Sequence, residues 1–219
     1  MARLCRAAII ACVALAACGG GGSASTTAVT PSDSPSTPQP AGPGADPAGD
    51  AFTIDGSSPG YLDMTRAAVS RTRGYFTFTE ALVAPVPPTP TLPAGDEALG
   101  WSVCVDLTGT AAVGFPMATV PMPCEFIVHT RWDGTKLAGL LIDRRPLARG
   151  HAALTTSFEP VVAGTELRMV IPARSLGEPK SFAFSMFTEE LGPLGTDIAR
   201  HVDEAPDGGP RETFEWPPS

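Results

Sequence analysis

Apolar and polar residues alternate along most of the chain beyond residue 60, the period-two signature of strands that turn one face to a core. Residues 61–71 and 75–82 read as two strands joined around Arg73-Gly74, and in the second Phe76 and Phe78 alternate with Thr77 and Thr79. Five prolines between residues 85 and 93 forbid a central strand there and predict a loop or an irregular edge. Trp101, Val103, Val105 and Leu107 then share one face of a third strand, with Ser102, Cys104 and Asp106 on the other. Residues 124–131 are a fourth, and Asp133-Gly134 signals a hairpin into 136–142. Further extended runs cover 152–158, 166–171, 181–188 and 213–216. Residues 172–177 have room for one helical turn, and no stretch offers three turns of amphipathic helix. Short strands with turn signals roughly every 10 to 15 residues predict an all-β chain, a single jelly-roll-like β-sandwich over residues 50–219. No internal repeat is present.

Before residue 50 the pattern is of another kind. Arg3 and Arg6 precede an uncharged apolar run over residues 7–17. As a helix that run spans only about 16 Å against about 30 Å of bilayer hydrocarbon, so it has the layout of a secretory signal and not of a membrane span. It ends in Leu15-Ala16-Ala17-Cys18, which resembles the lipobox of bacterial lipoproteins. The resemblance implies that residues 1–17 are a signal peptide removed after Ala17. It also implies that the Cys18 sulfur carries a diacylglyceryl group and that the new amino end is often acylated. An ordinary signal whose cleavage site contains a cysteine is the alternative. Two acyl chains hold a protein on a membrane stably where one holds it only reversibly. No later stretch approaches 18 consecutive apolar residues, so the expectation is a chain anchored by lipid at the extracytoplasmic face of the cell membrane.

Residues 18–49 continue as Gly, Ser, Thr, Ala and Pro, with six prolines from Pro31 to Pro47 and no Lys or Arg between Ala7 and Thr65. Such a segment has too little apolar surface to offset the entropy of ordering it, and it is expected to be a disordered tether with a reach of roughly 30 Å.

Charge and cysteine usage fit that placement. The formal charge is −8, and loss of Arg3 and Arg6 with the signal takes it to −10. That balance argues against nucleic acid and anionic headgroups as partners. Cys5 and Cys12 leave with the signal and Cys18 is taken by lipid, so Cys104 and Cys124 remain as a pair. Outside the cytoplasm a disulfide is expected; a metal site or a catalytic thiol is the alternative, for which two isolated cysteines lack neighbouring ligands or a CxxC. Closing a loop of about 20 residues would stabilise the fold by roughly 3 kcal/mol.

A second resemblance covers most of residues 46–216. Asp46-Pro-Ala-Gly-Asp50, residues 61–70, Tyr75-Phe-Thr-Phe78, residues 171–177, Phe182-Ala-Phe184, residues 203–207 and Phe214-Glu-Trp216 follow one another in a characteristic order. That order is similar to the one in bacterial extracellular β-sandwich domains allied to family nine carbohydrate-binding modules and DOMON domains. It implies a jelly-roll-like sandwich that binds a ligand without catalysis, and it carries over no binding residues.

Candidate chemistry is sparse. Gly56-Ser57-Ser58-Pro59-Gly60 satisfies the G-x-S-x-G pattern of a nucleophile elbow. The residue after the serine must lend its N–H to the oxyanion hole, and here it is Pro59, which has none, so a turn is the expected reading. His129, His151 and His201 have no metal-ligand spacing and are expected to be solvated or hydrogen-bonded. Asp46 and Asp50 on one side, and Asp203, Glu204 and Asp207 on the other, would gather around Ca²⁺ if the first and last strands are neighbours. Ordinary Asp turn chemistry is the preferred alternative, and no metal or cofactor is expected. Trp101 reads as core, whereas Trp132, beside a tight turn and charged neighbours, is the candidate for an exposed ligand-stacking ring. With no catalytic set in view, the expected function is a non-catalytic sandwich that binds a ligand, glycan or envelope partner. A structural or assembly lipoprotein making only protein contacts is the alternative, and an extracellular hydrolase the least favoured.

Overall fold

The computed structural model describes residues 41–51, 58–92, 95–109, 114–115, 122–192, 199–206 and 212–216. Their strands, in chain order, are β1 (Ala41–Ala45), β2 (Met64–Thr72), β3 (Tyr75–Leu82), β4 (Ala98–Asp106), β5 (Gly114–Phe115), β6 (Met122–Pro123) and β7 (Phe126–Trp132). There follow β8 (Leu137–Asp143), β9 (Leu154–Phe158), β10 (Val161–Ala163), β11 (Glu166–Pro172), β12 (Ser181–Leu191), β13 (Ala199–Ala205) and β14 (Glu212–Glu215). Two 3₁₀ turns, Arg145–Arg149 and Ala173–Leu176, are the helical elements among the described residues, and none of these is long or apolar enough to cross a membrane. The second is the single turn expected at 172–177.

Two antiparallel sheets pack face to face. One has the order β1-β2-β3-β11-β10; the other runs β13-β12-β4-β7-β8-β9, with β14 also paired to β12. The core between them holds the residues whose alternation was legible: Phe76 and Phe78 of β3, Trp101, Val103 and Val105 of β4, and Phe182 and Phe184 of β12. The fold is therefore the expected β-sandwich. β3 has the predicted bounds, and the β7–β8 hairpin turns at Asp133-Gly134, where Gly134 adopts φ 86° and Asp133 Oδ1 accepts the N–H groups of Thr135 and Lys136.

β4 is buried on both faces, beyond the one-faced strand its alternation predicted. Its second face meets a smaller cluster of Cys104, Cys124, Ile127 and Phe187. Cys104 and Cys124 are joined as a disulfide across a sequence separation of 20, with their Cα atoms 5.2 Å apart. The crosslink thus sits in apolar packing on the outer side of the seven-stranded sheet.

The sheet begins earlier in the chain than expected. β1 lies inside the stretch assigned to the tether, and Ala45 pairs with Arg66 of β2. The strand packs closely between β2 and β14: a Cβ on Gly44 would make ordinary contact with that of Ala67 at 3.7 Å and with Glu212 Cγ at 3.5 Å. Cys18 and the rest of the expected signal and tether up to residue 40 lie outside the described residues.

Candidate functional site

Two polar groupings and a pocket stand out against this framework. The first lies on the outer face of the seven-stranded sheet. Register places Ser102 of β4 opposite His129 of β7, and Gly100 opposite Glu189 of β12. Ser102 Oγ is 2.7 Å from His129 Nδ1 and donates to Glu189 Oε2 at 3.1 Å. Gly100 permits the approach, since a Cβ there would meet Glu189 Oε2 at 2.9 Å and His129 Cε1 at 3.0 Å. Burial pushes Glu189 up to about 8, partly offset by the Ser102 hydrogen bond. Burial, and then the Arg131 charge, pull His129 down to about 4. A hydroxyl, an imidazole and a carboxylate are therefore together, but not in the order acyl transfer needs. There the carboxylate holds one ring nitrogen while the other receives the serine proton. Here Ser102 and Glu189 both sit at Nδ1, the latter 3.9 Å away, and Ser102 is 0% exposed. The grouping is a buried polar bridge between three strands.

The second grouping lies where the two sheets meet along one edge, with β1 against β14 and β2 against β13. Asp50 follows β1, Asp63 immediately precedes β2, and Asp203 lies in β13; one oxygen from each carboxylate falls within 4.8 Å of the others. Asp63 accepts the Gly49 N–H through both oxygens, at 3.2 and 2.9 Å. Asp203 Oδ2 accepts the Met64 N–H at 2.5 Å and Oδ1 the N–H of Glu204 at 2.9 Å. Burial raises Asp203 to about 6 despite these bonds, and the Asp50 and Asp63 charges push the same way. Asp63 is raised by burial and by Asp50, against the Gly49 hydrogen bond. Of the acidic residues picked out in the sequence, Asp50 and Asp203 meet; Asp46 is buried apart from the trio, and Asp207 lies outside the described residues. Asp63 was missed. Its signal was a carboxylate flanked by Leu62 and Met64, both of which prove fully buried.

The third is an open pocket of about 420 Å³ beside the β7–β8 hairpin. Val86, Pro87, Pro88 and Pro90 of the proline-rich segment line it together with Trp132, Leu137 and the exposed Lys136. Trp132 is only 5% exposed, so the expectation of a freely exposed stacking ring is corrected. Phe126, Val128, Thr130 and Trp132 alternate onto the core-facing side of β7, and the ring follows them inward. Its buried indole N–H has no hydrogen-bond partner among the described residues. Trp101 is core, as expected, and its N–H donates to the Tyr61 carbonyl at 2.9 Å. Trp216 is the exposed one, with the Arg71 guanidinium 5.8 Å from its ring centre. A further groove of about 510 Å³ crosses the outer face of the five-stranded sheet, where Arg66 and Arg168 share Glu166.

The remaining motifs resolve simply. Ser58 Oγ donates to the Pro59 carbonyl, which also accepts the Leu62 N–H, so this part of the G-x-S-x-G stretch is a turn. Gly56 and Ser57 lie outside the described residues, as does the side chain of His201, and His151 is exposed.

The fold defines the class of protein, an antiparallel β-sandwich with a buried disulfide. No protein-family model, no curated protein and no solved structure matches the chain.

Proposed function

We propose that this protein is an extracytoplasmic lipoprotein, moored through Cys18, whose β-sandwich binds a ligand or envelope partner without catalysis. The mooring rests on Leu15-Ala16-Ala17-Cys18 at the end of a short apolar run, and a disulfide-bonded sandwich suits an oxidising compartment. The observation that carries the binding reading is the pocket between Trp132 and the proline-rich segment. Its volume falls in the range of small-molecule sites, its walls are mostly apolar, and the Lys136 ammonium and Thr135 hydroxyl at its margin supply the few directed polar contacts such sites use. A glycan ring or an acyl-bearing envelope fragment has the matching character, an apolar face with oxygens at its margin. The Ser102–His129–Glu189 geometry supports leaving catalysis out.

Two outcomes are expected. In a bacterial host that processes lipoproteins, Cys18→Ser should release the protein from the membrane fraction and abolish the diglyceride mass on its amino end. Unchanged retention and mass would end the anchor reading. In thermal-shift titrations with oligosaccharides and cell-wall fragments, a pocket ligand should raise Tm with increasing concentration. Trp132→Phe with Lys136→Ala should weaken that response at least tenfold. A response that ignores both changes would move the site elsewhere.

A second reading, assembly through protein contacts alone, is favoured by the edge strands. β9 and β10 end the two sheets, and Leu154, Val161 and Val162 expose 62%, 47% and 40% of their surface there.

A further inference from the structure

We propose that Asp50, Asp63 and Asp203 form a binding site for one calcium ion at the edge of the sandwich, with Glu80 as a buried acidic wall behind it. The site is separate from the Trp132 pocket and does not depend on it. Three carboxylates from three separate stretches of chain converge here, and the charges that act on Asp63 and Asp203 are those of other carboxylates. Convergence of acidic residues alone would not indicate an ion; two further features do.

Asp50 Oδ1 is shut off from solvent and has no hydrogen-bond partner among the described residues. It is the one member of the trio with an oxygen left so. Glu80 is 0% exposed, and neither of its oxygens is hydrogen-bonded among the described residues. Strand alternation fixes where Glu80 points. It shares with Phe76, Phe78 and Leu82 the face of β3 turned to the other sheet. Asp203 points back from that other sheet, opposite Thr188, whose hydroxyl reaches across to the Leu62 carbonyl. Burial raises Glu80 well above the usual carboxyl range, and the Asp203 charge, followed by that of Glu189, adds to it. A buried, unpartnered carboxyl turned toward Asp203 adds negative potential that a bound cation would relieve.

The chemistry of the donors selects the ion. All three side chains offer hard oxygens, which suit Ca²⁺ or Mg²⁺ and not the softer metals. Calcium holds its oxygens at roughly 2.3–2.6 Å, so two ligands of one ion are at most about 5 Å apart; for Mg²⁺ the limit is about 4.2 Å. Oxygens within 4.8 Å of one another lie inside calcium's span, and Mg²⁺, which gives up its waters reluctantly and demands near-ideal octahedral geometry, is disfavoured where two of the three carboxylates are tied to backbone N–H groups. Three carboxylates supply between three and six of the six to eight oxygens calcium takes, and half-buried Asp50 leaves an opening through which water completes the shell.

Trp101 provides the test. It lies opposite Thr188, which lies opposite Asp203, placing the indole two strand spacings, about 10 Å, from the site. Full-length protein stripped with EDTA and titrated with Tb³⁺ should show tryptophan-sensitised emission saturating at one ion per chain. Ca²⁺ should displace it at concentrations at least tenfold lower than Mg²⁺ requires, and excess Ca²⁺ should raise Tm. Asp203→Asn should abolish the signal. Because that residue is buried and its Oδ2 also holds the Met64 N–H, Asp50→Asn decides: it should keep the fold, weaken Tb³⁺ and Ca²⁺ binding at least tenfold, and leave the EDTA-treated Tm unchanged or higher. No sensitised emission from folded protein, or equal affinity in Asp50→Asn, would overturn the site.

Discussion

Phe182→Ala is expected to destabilise the protein by about 4 kcal/mol, the scale of a buried Phe lost from a core that cannot collapse around the gap. Phe182 stands at the junction of both layers. It stacks on Phe214 of β14 at 5.0 Å and 25°, and Phe76 of the opposite sheet meets it edge-on at 5.3 Å and 81°. Phe78 and Phe184 complete the group at 6.1 and 6.3 Å. Removing this one ring breaks four ring contacts, each contributing about 0.5–1.5 kcal/mol beyond burial, and opens a void that strands of two sheets would have to move to fill. A domain of this size has about 5–15 kcal/mol in total, so the variant should retain the fold but unfold at much lower urea. Phe182→Leu should cost well under half as much. Tyr75→Ala on the same layer, at an exposed position, should shift stability by no more than about 0.5 kcal/mol. A loss below 2 kcal/mol for Phe182→Ala would mean that the two sheets do not meet at this layer.

That aromatic junction was legible because alternation carries it: Phe76, Phe78, Phe182 and Phe184 each sit two residues from a partner on the same face. The strands that were not legible lack such a signal. β1 is Ala-Gly-Pro-Gly-Ala, whose glycines and proline are depleted in strands and carry no alternation of apolar and polar positions. β13 reads Ala-Arg-His-Val-Asp-Glu-Ala, and besides Val202 and Ala205 it buries Asp203, which no pattern of apolar positions would place inside. Trp132 was misplaced because its charged neighbours outweighed the alternation of Phe126, Val128 and Thr130, which points it inward. The acidic trio was half legible. Asp50 and Asp203 were marked by their loops, whereas Asp63 is brought in by the pairing of β2 with its neighbours. The contacts joining Ser102, His129 and Glu189 span 27 and 87 residues of sequence and exist only through strand register.

That last grouping yields the second large effect, one of pH. In the unfolded chain, between pH 4.5 and 6.5, His129 carries one proton and Glu189 none. In the folded protein the pair also carries one proton, shared through Ser102, and it is held until about pH 8 because burial keeps Glu189 from ionising. Both states bind equally between pH 4.5 and 6.5, so the pair leaves stability flat there. From 6.5 to 8 the unfolded state has released its proton while the folded state retains it, and stability falls as pH rises, by about 2 kcal/mol over that window. The result does not depend on which of the two residues holds the proton, since the count is the same for a neutral pair or an ion pair. Glu189→Gln keeps an acceptor for Ser102 but removes the titration. His129, depressed to about 4, is then the one titrating member of the pair: its contribution to stability should be level above pH 6.5 and fall as pH drops from 6.5 toward 4, where the unfolded imidazole binds a proton that the folded one refuses. In urea unfolding at pH 5, 6.5 and 8, the stability of the native protein minus that of Glu189→Gln should therefore fall steadily across the whole range, by about 2 kcal/mol in each half. Parallel profiles from 6.5 to 8 would show Glu189 already ionised at neutral pH, and with it a wetter, looser outer face than this packing allows.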